Sequence, residues 1–150
     1  MELTQKEATL LEDLKTQEKV CAEKYARSAN SAVDPQLKAL FTELSQNELK
    51  HLNMLDQLGE GKIPPIDNSK QPPKNFSATY GAATDSNKAN DCFLCNDLLS
   101  AEKHASDLYD TCVFEFKDAG ARDVLNYIQS AEQNHGKQLY DYMVANAMYE

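Results

Sequence analysis

The chain has 150 residues, of which 41% are apolar and 26% charged, so it suits one domain with a hydrophobic core. Its 24 acidic residues exceed its 15 basic ones, and the net charge of −9 argues against nucleic acids and anionic membranes as partners. The sequence has no apolar run long enough to span a membrane. The first residues, Met1–Glu7, lack the basic and apolar regions of a secretory signal. We therefore expect an acidic cytoplasmic protein.

The first part of the chain predicts a helical hairpin over residues 4–58. Thr4–Glu7 has the capping-box pattern that starts a helix, and apolar residues then recur at three- and four-residue spacing. We expect this helix to end near Ala32. Asp34–Pro35 supplies an N-cap and a first-turn proline for a second helix, whose apolar pattern fades at Gly59.

Residues 59–87 predict a long irregular connection. Four of the five prolines fall in this segment, among glycine, serine and asparagine residues. A connection of this length suits a crossover along a helix bundle, because a 25-residue helix is about 37 Å long. Such a crossover joins parallel helices. We expect it to cover a functional site or to form an interface between chains. Its expected anchors on the bundle are Ile63, Ile66, Phe76 and Tyr80.

Residues 88–148 predict a second helical hairpin with a break at Lys117–Gly120. Apolar residues recur at helical spacing on both sides of this break. The predicted fold class is therefore all-α. We expect a four-helix bundle of two antiparallel hairpins, joined by the long crossover, in a single domain over residues 1–150.

The two predicted hairpins repeat one pattern of chemically distinctive residues at an offset of 84 positions. The pattern Glu-x6-Tyr-x22-Glu-x2-His occurs as Glu18, Tyr25, Glu48 and His51, and again as Glu102, Tyr109, Glu132 and His135. The glutamates stand where the helical period requires apolar core residues. Because glutamate is rarely buried unless it is paired or bound to a cation, the repeat indicates a duplicated hairpin with a function.

The spacing predicts that six of these side chains meet at mid-height in the bundle. Glu18 and Glu48 each lie 15 residues from position 33, near the first turn, so antiparallel helices bring them to the same height. A glutamate and a histidine three residues apart share one helix face. The six predicted metal ligands are Glu18, Glu48, His51, Glu102, Glu132 and His135. Four carboxylates and two imidazoles suit two divalent metal ions, with iron as the first expectation and manganese as the alternative.

Two tyrosines belong to the same repeat. Tyr25 and Tyr109 each follow a predicted ligand glutamate by seven residues, on the same helix face. We expect their hydroxyl groups to hydrogen-bond and orient ligand carboxylates. The alternative is that both are ordinary aromatic residues of the core.

This ligand pattern resembles that of ferritin-like di-iron carboxylate proteins, in which two helices each give a glutamate and two each give Glu-x-x-His. The resemblance is in the style of rubrerythrin and bacterioferritin and spans both hairpins. It implies that the glutamates of the Glu-x-x-His motifs, Glu48 and Glu132, bridge the two metal ions. It implies that Glu18 and Glu102 are terminal ligands and that each histidine binds one metal ion.

The second hairpin also resembles the spore-coat F family of spore-forming bacteria. The residues that carry this resemblance are Asp97–Lys103, Tyr109, Glu132–Gln138 and Tyr142–Tyr149, within a stretch of about residues 94–149. The resemblance is compatible with a ferritin-like fold and implies the spore coat as a location besides the cytoplasm. The family's name does not specify a chemical activity.

The sequence thus predicts a dinuclear metal protein with ferroxidase- or peroxidase-type activity on dioxygen or hydrogen peroxide. One Cys-x-x-Cys pair, Cys92–Cys95, is too few for the iron site of a rubredoxin domain, so electrons come from an external donor or from substrate iron. We expect this pair to be buried or a bystander and not a redox pair, Cys21 and Cys112 to be core residues, and His104 to be exposed.

Two alternatives remain open from the sequence. A manganese-loaded site would disproportionate peroxide without an electron donor. A structural spore-coat or interaction protein would use the same scaffold without catalysis. We expect a homodimer in either case.

Overall fold

A computed structural model of the protein describes residues 1–82 and 84–149 and contains four long helices. They are α1 (Gln5–Ser31), α2 (Pro35–Gly59), α3 (Ser86–Val113) and α4 (Ala119–Ala145). The strongest packing is of α1 on α2 and of α3 on α4, which confirms the predicted all-α arrangement of helical hairpins. Within the described residues, none of the helices is long and apolar enough to cross a membrane. Ala83, in the predicted crossover, and Glu150, at the end of the predicted domain, lie outside the described residues.

The helices begin at side-chain caps. Thr4 and Glu7 form the predicted capping box, in which Thr4 N donates to Glu7 Oε2 at 2.7 Å and Glu7 N donates to Thr4 Oγ1 at 3.1 Å. Asp34 and Asp118, which are 84 positions apart, cap α2 and α4. Asp85 caps α3. These caps satisfy backbone N–H groups that have no partner inside a helix.

The break between α3 and α4 lies earlier in the chain than the sequence predicts, at residues 114–118 and not at 117–120. Helix α4 begins at Ala119, so Gly120 lies in its first turn and not in the break. Ile63 of the crossover packs against this glycine, because a Cβ atom placed there would lie 3.3 Å from Ile63 Cγ1. The glycine at this position therefore accompanies close packing and not the end of a helix.

The core divides into two hydrophobic clusters at opposite ends of the bundle. Cluster A comprises Leu11, Leu14, Leu55, Leu58, Tyr109, Cys112, Phe116, Ala121, Val124, Leu125 and Ile128. Cluster B comprises Tyr25, Ala32, Leu37, Leu40, Phe41, Leu44, Cys95, Leu98, Leu139, Tyr142 and Met143. The 84-residue offset maps ten of the eleven cluster A positions onto cluster B. The hairpins are therefore related by an approximate two-fold rotation that exchanges the ends of the bundle.

The crossover between α2 and α3 runs the length of the bundle, from the cluster A end to the cluster B end. Ile66 packs against cluster A and Phe76 against cluster B, as expected of anchors. Phe76 also makes an edge contact with Tyr142 of α4, with 5.6 Å between ring centroids. Gln36 of α2 hydrogen-bonds Ser77 and Thr79. The crossover thus contacts both α2 and α4.

Two buried carboxylates join the hairpins at opposite ends of the bundle. Asp91 of α3 accepts backbone N–H bonds from Val33 at 2.8 Å and Asp34 at 2.9 Å, in the turn between α1 and α2. Glu7 of α1 accepts one from Lys117 at 2.9 Å, in the turn between α3 and α4. Glu7 and Asp91 are 84 positions apart, as are Val33 and Lys117. Each hairpin therefore holds the turn of the other.

Candidate metal centre

The six side chains predicted as metal ligands come from all four helices and lie between the two core clusters. They are Glu18, Glu48, His51, Glu102, Glu132 and His135, and none is more than 5% exposed. Their height follows from the helical register, since Glu18 lies between Leu14 of cluster A and Tyr25 of cluster B on α1. The structure thus brings all six together in the interior.

Two overlapping sets of four side chains form within these six. In each set, one ligand atom per residue lies within 4.8 Å of the others. One set is Glu18, Glu48, His51 and Glu132, and the other is Glu48, Glu102, Glu132 and His135. Glu48 and Glu132 belong to both sets. A pair of metal ions that share bridging carboxylates requires this overlap.

Each histidine faces a glutamate of the opposite hairpin. His51 Nδ1 lies 3.0 Å from Glu132 Oε1, and His135 Nδ1 lies 2.8 Å from Glu48 Oε1. The two imidazole rings stack with 5.7 Å between centroids and 15° between planes. His135 Nδ1 also lies 3.2 Å from Glu102 Oε1, which completes its contacts to the second set. In both rings Nδ1 is thus the nitrogen directed at the carboxylates.

The two tyrosines bond across the bundle. Tyr25 of α1 donates to Glu102 Oε1 of α3 at 2.6 Å, and Tyr109 of α3 donates to Glu18 Oε1 of α1. Burial and the neighbouring carboxylates raise the pKa of both hydroxyl groups well above the ordinary value, so they stay protonated as donors. Each tyrosine also packs in one of the core clusters. Each tyrosine therefore makes the expected hydrogen bond to a predicted ligand carboxylate and also packs in the core, so both roles considered from the sequence are present.

Each of the four glutamates keeps one buried oxygen that has no hydrogen-bond partner within the described chain. These atoms are Oε2 of Glu18, Glu48, Glu102 and Glu132. A buried polar atom without a partner costs about 1–3 kcal/mol, and an ionised one costs more. Two divalent ions would give each of these four oxygens a partner. Their four positive charges would also balance the negative charges of the four carboxylates. The donor set therefore fits a pair of divalent metal ions, and oxygen and imidazole donors suit iron, manganese or zinc.

Burial controls the protonation of these groups without metal. It raises the pKa of Glu18, Glu48 and Glu132 above the ordinary carboxyl value. Burial alone would also raise the pKa of Glu102, but the adjacent Glu132 carboxyl group and the contacts with His135 and Tyr25 bring it below that value. Burial and the neighbouring His135 lower the pKa of His51 to about 3. Glu48 and Glu132, whose pKa is raised most, therefore retain protons, while His51 is neutral, which is the form that binds a metal ion.

The cysteines are not part of either ligand set. All four are free thiols, and Cys21, Cys95 and Cys112 are buried while Cys92 is partly buried. Burial raises the pKa of Cys21 to about 12 and that of Cys112 to about 11, so both thiols are protonated at neutral pH. The expectation that Cys21 and Cys112 are core residues is confirmed. His104 is exposed, as predicted.

A second buried polar network was not predicted from the sequence. Tyr142 donates to Asp34 Oδ2 at 2.8 Å, and Tyr80 of the crossover donates to Asp91 Oδ2 at 2.6 Å. Tyr80 is therefore an anchor of the crossover through its hydroxyl group. One signal in the sequence points to Asp91: it lies 84 positions after Glu7, at the repeat offset. A search for identical residues at this offset misses the pair, because one residue is glutamate and the other is aspartate.

A family model described as the Coat F domain matches residues 90–150. The match covers most of α3 and all of α4, and it includes Glu102, Glu132 and His135. The first hairpin, which carries the other three predicted ligands, lies outside the matched stretch. No curated protein and no solved structure matches the chain.

Proposed function

We propose that the protein binds two divalent metal ions at the centre of a ferritin-like bundle of the spore-coat F type, and that iron is the favoured metal. The observation that carries this proposal is the pair of overlapping ligand sets that share Glu48 and Glu132. The four orphaned carboxylate oxygens support it, because a bundle that needed only stability would fill these positions with apolar side chains. Metal binding thus explains the costly burial of four glutamates.

In the proposed site, Glu48 and Glu132 would bridge the two metal positions. The first position adds Glu18 and His51 to the bridging pair, and the second adds the corresponding residues of α3 and α4, Glu102 and His135. Tyr25 and Tyr109 would hold the terminal carboxylates through their hydrogen bonds, which leaves the second oxygen of each carboxylate to the metal ion.

We further propose ferroxidase- or peroxidase-type activity with dioxygen or hydrogen peroxide as substrate. A bound iron pair would supply redox equivalents and Lewis acidity. The chain's own part is to bind and to exclude water. The glutamates and histidines hold the metal positions, and clusters A and B close the site towards both ends of the bundle. Electrons would come from ferrous iron as substrate or from an external donor.

Metal content tests the site directly. The protein, expressed in medium supplemented with iron and manganese, should contain about two metal ions per chain by mass spectrometry. Glu48→Gln with Glu132→Gln should abolish binding of the pair. The matched control is Glu23→Gln, an exposed glutamate on α1 that pairs with Arg27. The site is wrong if the protein takes up no metal anaerobically, or if the double variant keeps both ions.

The identity of the bound metal selects the activity assay. Iron calls for assays of ferrous oxidation and peroxide reduction. Manganese, with peroxide disproportionation that the iron-loaded protein lacks, would favour the manganese alternative. Ligand chemistry alone does not separate these metals, because carboxylate and imidazole donors suit both.

A structural role in the spore coat is the second candidate, and the Coat F match over residues 90–150 favours it. We propose the spore coat as the location on the same ground. A chain with all four ligand glutamates changed to glutamine should then assemble in the coat normally, as judged by fractionation of spores. Loss of assembly in that variant alone, with its fold retained, would tie the coat role to the metal site.

We also propose that the protein is a homodimer. Light scattering, which measures the molar mass in solution, tests this proposal.

A further inference from the structure

We propose that metal ions reach the site through the groove between α2 and α4, and that crossover residues 67–75 form a strap that closes this groove. The inference rests on the proposed function, since it names the access route to the same site. It is carried by the position of the histidines, the path of the crossover and the weak attachment of its middle.

The site lies nearest to solvent at its histidines. His51 is 5% exposed and His135 is 3% exposed, whereas none of the four glutamates is more than 2% exposed. Since Nδ1 of each ring faces the carboxylates, the opposite edges of both rings are turned away from them. The histidines lie on α2 and α4, so the shortest path to solvent leads between these two helices.

The crossover lies on the side of α2 that faces α4. Two side chains of α2 that make polar contacts with it, Gln36 and Glu43, are seven residues apart and so share a flank of the helix. Ser45 on the opposite flank donates to the backbone oxygen of Ala22 at 2.8 Å and therefore marks the side that faces α1. The flank that bears Gln36 and Glu43 is thus turned away from α1 and towards α4.

The contacts on α4 place the crossover in the same groove. Gly120 packs against Ile63, and Tyr142 packs against Phe76. Gln138 lies 18 residues, or about five helical turns, after Gly120 and so shares its flank. The Oε1 atom of Gln138 is buried and has no hydrogen-bond partner within the described residues. This oxygen lies one helical turn from His135, so it could accept a hydrogen bond from a water molecule bound to a cation in the groove.

The middle of the crossover is weakly held. Residues 67–75 contribute no side chain to cluster A, cluster B or their partly buried neighbours, in the part of the chain that the structure describes. Lys74 pairs with Glu43 at 2.5 Å, but both side chains are partly exposed, and such pairs hold weakly. The strap could therefore open between its anchors at Ile66 and Phe76 without unfolding a helix.

The strap passes the height of the histidines. Ile66 packs with the cluster that contains Leu55, and Lys74 contacts Glu43. Along α2 these two points are about 18 Å apart, and His51 lies between them. Two surface pockets of about 360 and 320 Å³ lie instead at the cluster A end, beside Phe114 and Met1, and no predicted ligand lines either one. Opening of the strap would create the route that these pockets do not provide.

Two variants should change the rate of metal uptake in opposite directions. Glu43→Cys with Lys74→Cys, in a Cys92→Ser background, allows the strap to be tied to α2 by a bismaleimide that contains a cleavable disulfide. Lys74→Glu instead repels Glu43 and frees the strap. We expect Co²⁺ uptake, followed anaerobically by stopped-flow absorbance, to slow at least tenfold in the tied protein and to recover when a reductant cuts the linker. Uptake should be several-fold faster in Lys74→Glu.

The matched control for charge is Lys137→Glu, which breaks an exposed ion pair with Asp141 on α4, away from the strap. All variants should bind two Co²⁺ ions at equilibrium, because no ligand is changed. Equal uptake rates in the tied, cut and freed proteins would overturn the strap while leaving the metal site intact. Absence of Co²⁺ binding in the unmodified protein would overturn the proposed function and the strap with it.

Discussion

The Tyr25 hydroxyl on α1 donates a hydrogen bond to Glu102 on α3, with 2.6 Å between the oxygen atoms. Tyr109 makes the reciprocal bond from α3 to Glu18 on α1. Each bond occupies one oxygen of a buried carboxylate and leaves the other without a partner in the described chain. The tyrosines therefore fix which oxygen of each carboxylate is free to bind a metal ion.

Removal of either hydroxyl should weaken metal binding without changing its stoichiometry. We expect Tyr25→Phe and Tyr109→Phe each to lower metal affinity by roughly 10–100-fold, as is typical when a partner of a ligand is lost. The two effects should be similar, because the approximate two-fold rotation relates the Tyr25–Glu102 bond to the Tyr109–Glu18 bond. Competition with a chelator of known affinity measures the change. Tyr140→Phe, an exposed tyrosine, is the control, and unchanged affinity in both variants would leave the tyrosines as core residues only.

The buried carboxylates that hold the turns should contribute to stability. Asp91→Asn replaces an acceptor of two backbone N–H bonds, so we expect a loss of about 1–3 kcal/mol in the free energy of unfolding. Urea denaturation of the metal-free protein measures this loss. Asp110→Asn, at an exposed position of the same helix, should be neutral within about 0.5 kcal/mol. A neutral Asp91→Asn would show that the turn bonds make no net contribution.

The contribution of Glu7 should depend on pH. Burial alone would raise its pKa, but N–H bonds from Thr4 and Lys117 bring the pKa below the ordinary value of 4.5. The folded state therefore favours the ionised form, and this stabilisation is complete above pH 4.5 and is lost as pH falls through the lowered pKa. The difference in unfolding free energy between wild type and Glu7→Gln should thus shrink in acid. A difference that stays constant from neutral pH down to about pH 3 would contradict this assignment.

Metal binding should release protons. Burial raises the pKa of Glu18, Glu48 and Glu132, so the metal-free site retains protons that an incoming cation displaces. Affinity should accordingly rise with pH in the neutral range. Calorimetric titrations with Co²⁺ in two buffers of different ionisation enthalpy should give different heats, with one or more protons released per chain. Identical heats in both buffers would mean that the carboxylates are already ionised.

Much of the fold could be predicted from local signals. The capping box at Thr4 and the Asp34–Pro35 pair start helices for backbone reasons that do not depend on the rest of the fold. The six candidate ligands could be predicted for two reasons. Their glutamates occupy positions of the helical pattern that are normally apolar and buried, and the same set of residues recurs 84 positions later. Gly120 was misplaced because glycine accompanies both helix ends and close packing, and a sequence without its partner Ile63 does not distinguish them.

Other features needed the arrangement of the helices in space. The helical period places Tyr25 on the same face as Glu18, yet its bond goes to Glu102, because the partner depends on which helix lies alongside. The role of Asp91 could not be predicted, because its partners are backbone N–H groups of a distant turn, which leave no trace in residue type. The path of the crossover could not be predicted either, since an irregular segment has no period.

The approximate two-fold has a consequence for how such a site evolves. Each hairpin carries half of the candidate ligands, and the tyrosine bonds run from one hairpin to the other, so a single hairpin cannot complete the arrangement but two identical hairpins in a dimer could. In such a dimer every substitution appears twice. The crossover joins both halves in one chain and removes this restriction, so each half can diverge alone. Cys21 and Ala105, which occupy equivalent positions one turn after Glu18 and Glu102, already differ.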